Sequence, residues 1–229
     1  MKEVITKYWW KLLAGILLLY AIIEGFRVDL PPEIVEKIQQ TIRNLFFHVG
    51  MWFAMFTMLI TSFVYSLRYL RKFDPKEDIA AVEAVNVGVL FGFLGIFTGM
   101  IWANFTWGSP WTKDPKLNGA AIGLVIYLAY LILRGSIEDV HKRAKVSAVY
   151  NIFAFVLWIV FVLVMPRITS GGLHPANKGE ANTVMPMNLT ASLRVVFYPA
   201  MIGWILLATW ILNLRIRIGK LKYFLEHEQ

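Results

Sequence analysis

Six long apolar segments, each bounded by charged residues, constrain this chain more than any other feature of its sequence. They cover residues 8–26, 45–67, 84–105, 117–133, 146–165 and 195–214. Each is close to the ~20 residues that an α-helix needs to cross ~30 Å of hydrocarbon, where a helix satisfies its own backbone hydrogen bonds. With 58% hydrophobic and 17% charged residues, the chain is more apolar than a soluble domain. We predict an all-α integral membrane protein, a single six-transmembrane-helix bundle over residues 1–229.

The basic residues predict the orientation of this bundle. Fifteen of the 23 lysines and arginines fall on the side that holds both termini, and eight fall on the other side. The positive-inside rule then places both termini in the cytoplasm. The formal charge of +8 therefore reflects topology and membrane lipid, with no nucleic-acid partner. Lys2, Lys7 and Lys11 precede the first apolar run as in a secretory signal, but no small-x-small cleavage site follows, so we expect a retained span.

Three tryptophans crowd into the predicted outer loop, residues 102–116. Trp102, Trp107 and Trp111 fall within this loop, together with Gly108 and a closing Asp114. Grouped indoles offer a wide, flat, apolar surface that suits a flat, apolar ligand. The alternative is an aromatic belt at the membrane interface, which is the interpretation we give to the other tryptophans. Asp114 is also placed to cap the fourth helix.

The other two outer segments differ in character. Residues 27–44 open with two prolines and carry apolar residues at helical spacing, which predicts an amphipathic helix on the outer surface. Residues 166–190 form a long loop rich in glycine and proline that contains His174. Loops of this length inside compact domains are often functional.

Two of the four histidines lie on the same side as the tryptophan loop. His141 and His227 fall in cytoplasmic segments and are expected to be solvated, whereas His48 and His174 are predicted on the outer side. An iron porphyrin needs an apolar surface, imidazole ligands for its iron and cations for its propionates. We therefore predict a haem site with His48 and His174 as the axial ligands of the metal. With no cysteine in the chain, thioether attachment is impossible, so the haem would be b-type and non-covalent.

Several residues remain open in this hypothesis. Met185 and Met187 are weaker alternatives as iron ligands, and are more typical of mobile apolar contacts. Four cations are available for the propionates, and spacing does not choose among them: Arg43, Lys113, Lys116 and Arg194. We include Arg194 in the candidate haem site.

Residues 107–114, with the sequence WGSPWTKD, resemble the "WWD" signature W-G-x-x-W-x-W-D of the haem-handling proteins of cytochrome c maturation. Trp107, Gly108, Trp111 and Asp114 match the signature, and an upstream tryptophan is present at position 102. Lys113 stands where the signature has its last tryptophan. The six spans, the length and the outer histidines are similar to the CcmC, or haem exporter, branch of this family.

The resemblance implies a site and a set of partners. His48 and His174 would be the axial ligands, with Trp102, Trp107, Trp111 and Asp114 in contact with the haem. The haem would be presented at the periplasmic face of a bacterial inner membrane to a CcmE-like haem chaperone. The family acts with CcmA and CcmB, which are ABC-transporter-like, and with a small CcmD-like subunit.

Other functional classes lack support in the sequence. We find no nucleophile–base pair, phosphate loop or paired carboxylates, so we expect a haem-transfer protein and not an enzyme. A haem-b respiratory subunit would need histidines on facing helices, and these spans have none beyond His48. A transporter would need polar residues inside its spans, where only Asn86, Asn151 and Asn213 occur, and we take these as interfacial. A structural anchor leaves the tryptophan loop unexplained.

Overall fold

The computed structural model describes residues 2–30, 41–169, 172–174 and 189–227, and within these ranges it is helical without a strand. Its long helices are α1 (Lys2–Arg27), α2 (Leu45–Lys72), α3 (Pro75–Trp107), α4 (Pro115–Gly135), α5 (Val140–Ile159) and α6 (Ala191–His227). All six, α5 together with its continuation to Ile168, are long and apolar enough to cross a membrane. The prediction of a six-helix membrane bundle is therefore confirmed. Most of the predicted surface helix and of the histidine loop, with Met185 and Met187, lies outside the described residues.

Short polar turns set where the helices begin. Asp74, Asp114 and Asp139 are the N-caps of α3, α4 and α5, and each accepts a backbone N–H through its side chain. Pro75 and Pro115 occupy the first helical positions of α3 and α4, where a missing N–H costs nothing. The sequence prediction that Asp114 caps the fourth helix is thus confirmed.

The pair formed by α2 and α3 is the centre of the bundle. The two helices share the most extensive packing, α2 also touches α5 and α6, α1 packs on α6, and α4 packs on α5. The fully buried side chains of α2 and α3 include Met55, Met58, Leu59 and Phe91. Four glycines of α3 face α2 and allow close approach: Gly88, Gly92, Gly95 and Gly99.

The half of the bundle away from Trp102 and Trp107 contains a buried polar contact. Asn151 Nδ2 donates hydrogen bonds to Ser62 Oγ (2.6 Å) and Ser66 Oγ (2.8 Å), and Ser62 Oγ donates to the Ala81 carbonyl (2.8 Å). Asn151 has no exposed surface and lies among the helices. It joins α5 to α2, as polar side chains do between membrane helices.

Ion pairs tie the helices at the end of the bundle opposite the tryptophans. The Arg134 guanidinium of α4 makes two hydrogen bonds to Asp78 of α3, at 2.8 and 2.6 Å. Arg215 of α6 pairs with Glu83 of α3. The two-point contact between Arg134 and Asp78 is the stronger form of a charged hydrogen bond. The two ion pairs fix α4 and α6 to the beginning of α3.

The end of α5 contacts and positions the first turns of α4. The helix passes into a π-helical segment, Val160–Val164, and then into the short turn Met165–Ile168. A Cβ atom at Gly119 would lie 2.1 Å from the Phe161 carbonyl oxygen. Only glycine permits this contact, so the first turns of α4 rest directly on the backbone of the π-helical segment. This contact positions the start of α4 and the loop before it.

Candidate functional site

The tryptophan loop is shorter than the sequence predicted. Because residues 102–107 contain no glycine or proline, α3 continues through Trp102 to Trp107. The next helix, α4, begins at Pro115, so the connecting loop is 108–114. Gly108 ends α3 with φ of +78°, a conformation that favours glycine, and its N–H donates to the Asn104 carbonyl at 3.0 Å. Two of the three predicted loop tryptophans are therefore helical.

Two indoles and one imidazole meet at this end of the bundle. The ring centroids of Trp102 and Trp107 are 5.0 Å apart with planes at 77°. His174 lies 4.9 Å from Trp107 and 6.1 Å from Trp102. The indoles thus form a corner rather than one flat platform, and His174 contacts both. Edge-to-face packing of this kind is a favoured aromatic geometry.

Trp111 stands apart from this corner. It is 40% exposed, and its indole N–H donates to Asn118 Oδ1 at 3.2 Å. Among the described residues it makes no ring contact with Trp102, Trp107 or His174. The prediction that three tryptophans form one surface is therefore corrected to two tryptophans in contact and a third at the protein surface, next to the exposed Lys113.

Asp114 fixes His174 and the start of α4 at once. One carboxylate oxygen accepts the backbone N–H groups of Lys116 and Leu117, at 2.9 and 3.1 Å. That oxygen also lies 2.8 Å from His174 Nδ1. The other oxygen accepts from the N–H groups of Leu173 and His174, at 2.6 and 3.1 Å. The carboxylate therefore holds both the backbone and the ring of His174.

The charge of Asp114 follows from these bonds. Burial acts to raise the pKa of its carboxyl, but the hydrogen bonds from the His174 ring and from backbone N–H groups act the other way and outweigh it. The pKa therefore lies well below the usual range. An ionised carboxylate can only accept, so the proton in its bond to His174 is on Nδ1.

His48 is held in a matching way by the α3 helix. Its Nδ1 lies 2.9 Å from the Gly95 carbonyl and 3.2 Å from Thr98 Oγ1. A carbonyl cannot donate, so His48 Nδ1 carries the proton. The ring also rests on Gly99, where an added Cβ would come within 2.7 Å of His48 Cε1.

These bonds leave one nitrogen of each imidazole for other chemistry. In the neutral form of a ring that donates through Nδ1, the lone pair is on Nε2, the arrangement seen in metal-ligating histidines. No cluster of three or more His, Cys, Asp or Glu side chains able to hold a metal ion is present in the described part of the chain.

The four candidate cations are in different situations. Arg43 donates to the carbonyls of Gly25 and Val28 (2.6 and 3.3 Å), so it closes the C-terminal end of α1. Arg194 is an exposed residue that donates through Nε to the Leu189 carbonyl at 2.6 Å. Lys116 is half-buried and interacts electrostatically with Asp114 and His48. The geometry sets Arg43 apart as structural.

The residues that hold His48 were missed by the sequence reasoning. Gly95, Thr98 and Gly99 lie about fifty residues after it, on another helix. The regular spacing of the α3 glycines is a signal that pointed to a close helix contact. It does not say which side chain of α2 fills that contact.

The fold and site together define a class: a polytopic membrane protein with two anchored imidazoles and paired indoles at one end of its bundle. A family described as "Cytochrome C assembly protein" matches residues 5–174, a range that includes His48, the tryptophans and His174. The chain belongs to that family, and the resemblance to the haem-handling proteins of cytochrome c maturation is confirmed.

Individual relatives agree with this membership. A "Heme exporter protein C" of Paracoccus denitrificans is 26% identical over 178 residues, 77% of this chain and 72% of that protein. A "Heme exporter protein C" of Bradyrhizobium diazoefficiens is 32% identical over 113 residues, 49% of this chain and 43% of that protein. A "Cytochrome c biogenesis protein CcsA" of Pelargonium hortorum is 34% identical over 119 residues, 51% of this chain and 36% of that protein. The matched region thus spans less than half of the last two relatives.

Proposed function

We propose that this chain is the haem-binding and haem-delivery subunit of a cytochrome c maturation system, and not an enzyme. His48 and His174 are the axial ligands of a b-type haem held without a covalent bond. One observation carries this proposal: each ring is fixed through Nδ1 to a protein acceptor, which leaves Nε2 for iron. Such outer partners orient a ligating imidazole and raise its basicity.

The surrounding residues have separate tasks in this proposal. Trp102 and Trp107 supply the apolar surface beside His174, and Gly108 turns the chain away from it. Asp114 holds the His174 ring in place. Because the site lies at the helix ends, haem can leave without separating the helices of the bundle, as delivery requires. Lys113, Lys116 and Arg194 are the cations proposed for the propionates.

The setting of the site follows from the charge distribution. The positive-inside rule puts the tryptophan end on the periplasmic side of a bacterial inner membrane. There the proposed recipient is a CcmE-like haem chaperone. CcmA-like and CcmB-like transporter subunits and a CcmD-like small subunit complete the proposed assembly. An ATPase partner would supply the energy for release of the loaded chaperone.

A transfer experiment tests the delivery step. Haem-loaded protein in lipid nanodiscs is mixed with the purified haem-free chaperone, and haem on each protein is followed by absorbance after separation. We expect haem to leave this chain and to appear on the chaperone. Free haem at the same concentration is the control for direct uptake. Transfer no faster than from free haem would contradict a delivery role.

A matched pair of tryptophan variants tests the role of the corner. Trp107→Ala removes an indole that touches His174, and a half-buried aromatic contact is worth roughly 1–2 kcal/mol. We expect haem retention to weaken about tenfold. Trp111→Ala removes an equally large but exposed indole and should retain haem like the parent. Equal losses of haem retention in the two variants would contradict the assignment of Trp107, and not Trp111, to the haem site.

A further inference from the structure

Helix α6 is longer than a membrane span requires. It has 37 residues, whereas ~20 cross the hydrocarbon. Arg215, paired with Glu83, marks the inner end of its apolar part. Beyond it the helix packs along the first turns of α3, since a Cβ at Gly219 would lie 2.7 Å from Ile79 Cγ2. Residues 215–227 therefore form an inner extension that α3 supports.

This extension has an exposed apolar stripe on the side away from α3. The stripe continues the face of α6 that packs on α1, where Lys11 Nζ lies 5.3 Å from the centroid of the Trp210 ring. Ile216, Gly219 and Tyr223 are half-buried on the packed side. The opposite side carries the residues that we call the seam, which begins at the last residue of the predicted span and continues along the extension: Leu214, Ile218, Leu221 and Leu225, with exposed fractions of 44%, 55%, 59% and 58%. Their spacing of four, three and four residues is that of the a and d positions of a coiled coil. The seam has the pattern of a helix-binding surface.

The charged residues beside the seam indicate which charge a partner helix would carry. In heptad terms Arg217 and Lys222 are g and e positions on its two sides, and both are exposed. Residues 215–226 contain four basic side chains and one acidic one, Glu226. A second copy of the same helix would place like charges opposite each other, because g and e positions face each other across such an interface. A complementary partner carries acidic residues there.

We propose that the seam docks an amphipathic helix of a partner protein, whose apolar stripe is flanked by aspartate or glutamate. This interaction surface is separate from the haem site and does not depend on the proposed function. Lipid is the less suitable occupant. An amphipathic helix binds lipid by lying in the plane of the interface, whereas this extension continues a membrane span without a break and packs on α3.

A designed peptide tests the proposal directly. The probe is a fluorescent three-heptad peptide with leucine at a and d and glutamate at e and g. The matched control peptide has the same leucines but lysine at e and g. Binding to the full chain is measured in nanodiscs of zwitterionic lipid. We expect the glutamate peptide to bind at least about tenfold more tightly than the lysine peptide, since flanking charges set partner choice.

Three variants assign the binding to the seam. The double change Ile218→Asn, Leu221→Asn should weaken the glutamate peptide at least about tenfold, because it removes the apolar contact. Arg217→Glu with Lys222→Glu should reverse the preference between the two peptides. Lys220→Glu is the matched control, since it inverts a charge away from the seam and should change binding less than about twofold. Circular dichroism and size exclusion confirm that each variant is folded.

Other outcomes would overturn the proposal. Absence of binding, or equal binding of both peptides, excludes an acidic helix as the occupant. Because the chain has no cysteine, Phe224→Cys places one fluorophore beside the seam. Its emission should shift to the blue when the glutamate peptide is added in zwitterionic nanodiscs. A blue shift produced by anionic lipid alone, without the peptide, would assign the seam to the membrane surface instead.

Discussion

At the scale of single residues, Asp114 connects more of the site than any other side chain. The Asp-Pro pattern was enough to predict the cap, because aspartate before a proline at the first helical position is a local signal. Its bond to His174 spans 60 residues of sequence. No local pattern records such a contact, so it could not be predicted.

Replacing Asp114 with asparagine tests this connection. Asp114→Asn keeps the size and remains a good helix cap, but its NH₂ group faces donors and it loses the charged hydrogen bond to His174. Such a bond is worth roughly 1.5–3 kcal/mol, so the change should release the His174 ring. We expect a lower melting temperature and an altered haem absorbance spectrum. A variant with the parent spectrum and stability would show that the carboxylate does not position His174.

The lowered pKa of Asp114 also fixes the direction of a pH effect. A carboxyl whose pKa is lower in the folded than in the unfolded state contributes stability that is present above the unfolded pKa. That contribution is lost as the pH falls through the folded pKa. Mild acidification that leaves the pH above the ordinary carboxylate pKa should therefore not release His174 through this group. A pH titration of the parent compared with Asp114→Asn measures the contribution.

At the scale of elements, hydropathy predicted the helices but not how they pack. Each apolar segment contains too little information about its neighbours, because lipid-facing and buried residues are alike in polarity. His48 lies on the second span, as predicted, yet the α3 surface that holds it was not foreseen. The length of α3 was also underestimated, so Trp102 and Trp107 were assigned to a loop rather than to a helix end.

The contact between α2 and α3 makes a prediction about His48. Gly99→Ala places a methyl group within 2.7 Å of the His48 ring, so the ring must move. We expect loss of one axial imidazole, seen as a change in the haem spectrum, with the protein still folded.

Gly88, an earlier glycine on the side of α3 that faces α2, provides the control for helix packing. At Gly88 a Cβ would meet Leu59 Cδ2 at 2.9 Å, a similar crowding next to a different side chain. Gly88→Ala should therefore affect stability while the haem spectrum stays that of the parent. The same spectral change in both variants would mean that packing, rather than the position of His48, is responsible.

At the scale of the whole molecule, the two ends of the bundle have different chemistry. One end carries the ion pairs Asp78–Arg134 and Glu83–Arg215 together with the seam. The other end carries Trp102, Trp107 and Trp111 together with His48 and His174. The excess of basic residues predicts which of these ends faces the cytoplasm, because that prediction depends on composition and not on side-chain contacts.

Reporter fusions test the orientation. A reporter enzyme that is active only outside the cytoplasm should be active when inserted at Ser109. It should be silent at Pro75, in the turn between α2 and α3, and when fused after Gln229. Activity at Pro75 would reverse the orientation and place the histidine end in the cytoplasm.

Coordination of haem iron by His48 and His174 is tested most directly by electron paramagnetic resonance of the oxidised, haem-loaded protein. We predict a low-spin signal typical of two imidazole ligands. His48→Ala and His174→Ala should each remove that signal, and added free imidazole should restore it. A signal that is unchanged when both histidines are replaced would contradict the assignment of these residues as the axial ligands.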